Sequence, residues 1–315
     1  MAVYLNDFLP DEDPDSSQQI VAKGIGRQSS KEEGNSRYRL VTKIDIQRLC
    51  RPRNTFSHKG SFGHVLIIAG NVQTMGAAIL ASKGALYGGA GLTTASIPEE
   101  GLTALNATLP EVMYIKRKSL LKENALDKYN AIAIGPGLGR SAKSELLLEQ
   151  LFSFKREFVA DADALNLLAG RADLLQKIEK HSILTPHVKE FDQLFGKHPN
   201  WWSRLQTAIN KAIQLGVVIV LKNQFTFIVS QRGEIYINST GNPAMAQGGM
   251  GDVLTGLIAA YKAQGYSSIE AALLGCYIHG MAGDELAKDM HNITASQLLE
   301  QIPKSRSLLQ SSDPL

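Results

Sequence analysis

The chain has 315 residues, 44% of them hydrophobic, with 33 basic and 30 acidic side chains and a formal net charge of +3. That near-balance gives no basis for nucleic acid or a membrane surface as partner, and the length suffices to bury one large core. The two cysteines, Cys50 and Cys276, form no Cys-x-x-Cys pair, so neither a zinc site nor a disulfide framework is expected.

Residues 1–37 are polar, rich in Asp, Ser, Gln and Lys, and carry little periodic apolar signal. They are expected to form an N-terminal extension, either a loose tail or an oligomer arm. The opening MAVYLNDFLPDEDPDSS has neither the basic region nor the apolar run of a signal peptide, which makes the cytoplasm the expected location. The remainder, 38–315, is expected to be one domain.

From His64 onward short apolar runs alternate with helical stretches. HVLIIAG (64–70), LTTASI (92–97), AIAIG (131–135), FVADAD (158–163), SILTP (182–186) and VVIVLK (217–222) are nearly continuous, as strands buried on both faces are. FTFIVS (225–230) and EIYINS (234–239) alternate more and flank Gln231, Arg232 and Gly233, predicting a hairpin near the sheet edge. Helices are expected at 76–89, 144–152, 252–264 and 269–288. The pattern predicts the α/β class: a three-layer α/β/α sandwich around a mostly parallel central sheet. Ligands of such sheets sit at the carboxyl ends of the strands.

The densest motif is GNPAMAQGGMGDVLTG, residues 241–256. Gly248, Gly249 and Gly251 precede a helix expected to start near Asp252, and a glycine-bent helix start offers free amides and a positive dipole end to a phosphate. No Lys follows Gly251, so this is not a Walker A loop. Asp252 reads either as a helix cap or as a general base beside a transferring phosphoryl group, and the three glycines favour the base.

GGMGDVLTG resembles the GGxGDxLxG signature of the ADP/ATP-dependent NAD(P)H-hydrate dehydratases, a ribokinase-like family. HKGSFGHVLIIAGN (58–71), GAAILASKGALYGGAGLTTAS (76–96), GPGLGRS (135–141), DADALNLL (161–168), TPHVKEF (185–191) and the Lys222–Thr226 pair follow in the family's order, covering about residues 45 to 303. The resemblance implies a ribokinase-like fold. It also implies a reaction in which the ring hydroxyl of NADH hydrate or NADPH hydrate is phosphorylated from ADP or ATP, with Mg²⁺, after which phosphate leaves. By resemblance Asp252 is the catalytic base and touches the hydrate, together with Ala78, Gly137 and His187. The nucleotide falls to Lys222, Asn223, Gln224, Phe225, Thr226, Asn242, Gly248, Gly249 and Gly251, and Glu190 to organising a metal. The family pattern around Lys222 is Lys-Gly-x-x-Thr; here Asn223 replaces the glycine, a residue that tolerates positive φ. The resemblance further implies a homo-oligomer, with a tetramer expected, and an epimerase partner that would be a separate chain, or absent.

Bland readings stand beside these. Ala78 alone reads as packing, GPGLGRS as a tight strand-to-helix turn, His187 and Glu190 as the polar start of a helix after Pro186, and KNQFT as a β-turn with a solvated lysine. Asp163 is expected to cap the helix ALNLLAG and Asp161 to face substrate. Two rivals compete with the dehydratase: a vitamin-alcohol kinase of the same fold, and a Rossmann-type NAD-binding protein built on Gly135, Gly137, Gly139 and the acidic Asp161. The second lacks Gly or Ala at Arg140 and leaves GGMGD unexplained. A non-catalytic nucleotide-binding relative fits poorly with the retained Asp252.

Overall fold

The computed structural model describes residues 38–310 and the backbone of 23–24. The rest of the predicted N-terminal extension lies outside the described residues. The strands are β1 (Lys23–Gly24), β2 (Tyr38–Val41), β3 (His64–Ile68), β4 (Leu92–Ser96), β5 (Met113–Tyr114), β6 (Ala131–Ile134), β7 (Val159–Ala160), β8 (Ile183–Leu184), β9 (Val218–Leu221), β10 (Thr226–Val229) and β11 (Ile235–Asn238). They form one sheet in the order β1-β2-β11-β10-β9-β8-β7-β6-β3-β4-β5. Every described pairing is parallel except the two made by β10, which runs against β9 and β11. The predicted hairpin is present, and β2 adds a parallel strand outside it.

Helices cover both faces: α1 (Lys43–Leu49), α2 (Met75–Tyr87), α3 (Leu102–Thr108), α4 (Ala142–Phe152), α5 (Asp163–Ala169), α6 (Ala172–Leu175), α7 (Val188–Phe195), α8 (Trp201–Leu215), α9 (Met250–Ala263), α10 (Ser268–Leu286) and α11 (Ala295–Leu308). Strand alternation divides the core. Val65 and Ile67 of β3 join α2, α9, α10 and α11 in one layer. Leu66 and Ile68 join α4, α5, α7 and α8 in the other. These strands are buried on both sides, which is why their sequences are apolar without alternating. No helix among the described residues is long and apolar enough to cross a membrane.

The chain lays β4 and β5 on one side of β3 and β6 to β9 on the other. The crevice between the carboxyl ends of β3 and β6 is therefore the topological switch point, where such sheets bind ligands. The two ends are tied by Gly70 N–H donating to Pro136 O at 2.8 Å.

Helix α9 packs against α2 through small residues. A Cβ added at Gly256 would lie 1.9 Å from Ala81 O, and one at Gly84 would lie 2.6 Å from Val253 O. The two backbones thus touch, which sets the axial position of α9 and of the loop that enters it. Gly256→Leu is expected to lower stability by about 2 kcal/mol or more, because neither backbone can yield. Urea unfolding of the variant against the parent checks this.

Candidate active site

The glycine-rich segment enters α9 two residues before the expected start. The helix begins at Met250 after Gly249, whose φ of +92° is left-handed and whose side chain, had it one, would strike Leu80. Asp252 therefore stands inside the first turn, and it makes no side-chain capping bond. Among the described residues no hydrogen bond or ion pair reaches its carboxylate. Burial, and next the charge of Asp161, push its pKa up to about 7; Lys222 works the other way and Asp163 adds to the rise. An unpaired carboxyl held near neutrality at a helix start is suited to accept a proton.

Lys222 comes to this place from the end of β9. Its Nζ is 2.7 Å from Asp161 Oδ1 and would be 3.4 Å from a Cβ on Gly251. It is not the solvated turn lysine of the bland reading: only 20% of its side chain is exposed. Burial opposes its charge, but Asp161 and Glu190 outweigh that effect and raise its pKa, so it stays an ammonium. Asp161 itself is buried, and its second oxygen accepts Thr255 Oγ1 at 2.8 Å. Its carboxylate is thereby occupied, which corrects the expectation that it faces substrate.

Asp163 does not cap α5. Ala162 is the capping residue, with a φ of +50° rare for a residue with a side chain, and Asp163 is the first helical residue. Its Oδ2 accepts Gly139 N–H at 2.8 Å and its Oδ1 pairs with Arg140 at 3.1 Å. The GPGLGR turn is thus filled from within the chain. Gly137, at φ +57°, accepts Thr74 Oγ1 on its carbonyl at 2.7 Å. Ala78 is fully buried and lies under Gly70, whose Cβ would come within 2.9 Å of the alanine methyl.

A cavity of about 620 Å³ opens beside the glycine turn at the carboxyl ends of β8, β9 and β11. It brings together His187, Lys222, Asn223, Gln224, Thr226, Asn242 and Gly251 from the expected set. Phe225 packs against the core layer of α8. Gly248 and Gly249 form the turn but do not line the cavity. Asn223 has no positive φ, so the departure from the family's glycine costs the backbone nothing.

Lys222 forms a parallel bridge to His187. The His187 Nδ1 accepts Lys189 N–H and Glu190 N–H, and Glu190 Oε2 accepts His187 N–H at 2.9 Å. The pair is a capping box for α7, as the bland reading had it, yet this geometry also leaves the proton of the neutral ring on Nε2. Half of the His187 side chain is exposed. Burial, countered by Lys222, raises the Glu190 pKa.

His279 and Thr255 escaped sequence reasoning. His279, on α10, lines the cavity, and burial holds its pKa down to about 4. The neutral ring donates from Nε2 to Met250 O at 3.0 Å, pinning the first turn of α9. Its only sequence signal was a lone histidine in an apolar helix. Thr255 was already inside the quoted motif, one turn past Gly251.

Residues 65–304 match the family described as NAD(P)H-hydrate dehydratase. An ADP-dependent (S)-NAD(P)H-hydrate dehydratase of Lactococcus lactis is 34% identical over 264 residues, 82% of this chain and 94% of that protein. A bifunctional NAD(P)H-hydrate repair enzyme of Moorella thermoacetica is 38% identical over 281 residues, which are 84% of this chain and 53% of the relative. The chain therefore spans about half the length of the bifunctional protein. An ADP/ATP-dependent NAD(P)H-hydrate dehydratase of Bacillus subtilis, co-crystallised with ATP/Mg²⁺, superposes with a TM-score of 0.76 at 31% identity, covering 85% of this chain and 97% of that one.

The position of Asp252 has a cost for folding. A carboxyl whose pKa is raised in the folded state destabilises the protein when ionised, fully above about pH 7 and not at all below its unfolded value. Asp252→Asn is expected to raise the melting temperature at pH 8 and to change it little at pH 4. Differential scanning calorimetry at the two pH values measures it.

Proposed function

The chain belongs to the NAD(P)H-hydrate dehydratase family, and we propose that it removes water from the S form of hydrated NADH and NADPH, using a nucleoside di- or triphosphate as phosphoryl donor. One observation carries the site assignment: the Asp252 carboxyl, which has no hydrogen-bond or ion-pair partner among the described residues, follows directly on Gly251, which lines the cavity. The cavity accepts the nucleotide between the Lys222–Thr226 loop and Asn242, which directs its phosphates to the turn. The hydrate lies beside Asp252 and reaches His187, which lines the same cavity, and the Gly137 turn.

In this reading Asp252 takes the proton of the ring hydroxyl as its oxygen bonds to the transferring phosphorus and the bond to the leaving nucleotide breaks. The helix-start amides hold the charge that grows on the phosphoryl oxygens. The C–O bond of the phosphorylated ring then breaks, phosphate departs, and a proton lost from the neighbouring ring carbon restores the double bond. The Nε2–H of His187 donates to a polar group of the hydrate and orients the ring.

Among the described residues no group of three or more His, Cys, Asp or Glu could hold a metal ion. Asp161 is engaged by Lys222 and Thr255, and Glu190 by His187. This donor set suits magnesium carried on the nucleotide phosphates and water, with few protein ligands. Bound in that way, the ion neutralises phosphate charge.

NADH hydrate incubated with the protein, magnesium and ADP or ATP is expected to regain absorbance in the NADH band, with phosphate released. Absence of recovery with both nucleotides rejects the activity. Asp252→Asn is expected to lower turnover by about 10²–10⁴-fold while nucleotide affinity changes little. In the parent protein kcat/KM should rise with pH through about 7, because the protonated Asp252 cannot act as base. A pH–rate profile on substrate-limited reactions reads that limb.

A further inference from the structure

The Lys222 ammonium at the end of β9 is paired with one carboxylate and feels the charge of two more. Lys222 is within electrostatic reach of Asp161, Glu190 and Asp252. It forms an ion pair with Asp161, at 2.7 Å, and none with Asp252 among the described residues. We propose that Asp161 is a positioning residue that holds the Lys222 ammonium off Asp252 and so leaves the catalytic carboxylate without an ion-pair partner. The proposal rests on reading Asp252 as the base.

The anchoring of Asp161 explains why it wins the lysine. It is buried at the end of β7, its backbone N–H donates to Ile134 O at 3.1 Å, and its carbonyl accepts Ala164 N–H at 3.1 Å. The left-handed Ala162 turns Asp163 away towards Gly139 and Arg140, so the two neighbouring acids serve different partners. Oδ2 of Asp161 is fixed by Thr255 Oγ1, on the same helix as Asp252 and one turn further in. The carboxylate therefore has one oxygen for the helix and one for the lysine. Asp252 sits on the first turn without such a frame.

The charged groups facing Asp252 are Asp161 from β7, Lys222 from β9 and Asp163 from α5, the last paired with Arg140. From α10, His279 is neutral and bonded to Met250 O. Glu190 of α7 acts on Lys222 and is tied to His187. Removing the Asp161 charge acts twice in one direction: a negative neighbour is lost, and the freed ammonium can swing onto Asp252. Both changes favour the ionised carboxylate and weaken it as a base.

The test is a pH–rate profile for hydrate repair by the parent protein, Asp161→Asn, Lys222→Met and the double variant. For Asp161→Asn the acid limb is expected about one pH unit lower than in the parent, with kcat at pH 8 down about tenfold or more. If Asp161 acts through Lys222, adding Lys222→Met moves the limb upward by more in the Asp161→Asn background than in the parent, an interaction that additive effects would not give. An acid limb unmoved in Asp161→Asn, or a Lys222→Met shift no larger in the Asp161→Asn background than in the parent, overturns the proposal. If Asp161→Asn does not fold, Thr255→Val, which frees one anchor of the carboxylate, should show a smaller downward move; no move there overturns it equally. Failure of the base reading is separable, since Asp252→Asn would then keep turnover whatever Asp161 does.

Discussion

The buried ion pair between Asp161 and Lys222 joins the parts of the site that the sequence keeps far apart. It links the ends of β7 and β9, and through Thr255 it reaches the first turn of α9. Burying two charges costs desolvation that attraction between them seldom returns in full, and apolar residues would pack such a place at least as well. A pair kept here therefore points to what it does for its surroundings. It supplies a fixed charge pattern in a region of low dielectric, where each neighbour's protonation depends on it.

That pattern needs a rigid frame, and the contact of α2 with α9 provides it. Glycines at 84 and 256 let two helix backbones meet, which sets α9 closely against α2. His279 then holds Met250 O from the third helix of that layer. The left-handed Gly249 delivers the chain to this start. Asp252 is consequently placed by the helix, with none of the local capping bonds that an acid at a helix start often makes. Its raised pKa follows from location: partly buried and next to the charge of Asp161.

The same geometry separates this site from the Rossmann reading. A dinucleotide motif needs open amides in its glycine turn and a free acid for the ribose. Here the amide of Gly139 is taken by Asp163, and Asp161 is spent on Lys222 and Thr255. The open amides are at the other turn, before α9. Similarity to dehydratases along most of the chain agrees with that placement.

Much was legible in the residues themselves. Two-sided burial writes continuous apolar runs, so β3, β4, β6, β7, β8 and β9 and the mostly parallel sheet could be read directly, as could the β10–β11 hairpin from its alternation, while the short β1, β2 and β5 could not. The GGMGD segment announced a bent helix start because few other functions need glycines so placed. Partners distant in sequence could not be read. Asp161 and Lys222 are 61 residues apart, and Asp161 and Thr255 are 94 apart. Asp161 and Asp163 are two residues apart, and the positive φ between them at Ala162 accompanies the sending of one to the ion pair and the other to the Gly139 turn, neither of which the sequence foretold. Local pattern thus determined which elements form and where a phosphate could be gripped. Which carboxylate is paired and which is left as a base was decided by tertiary packing, because electrostatics depends on distance in space and a sequence records only distance along the chain.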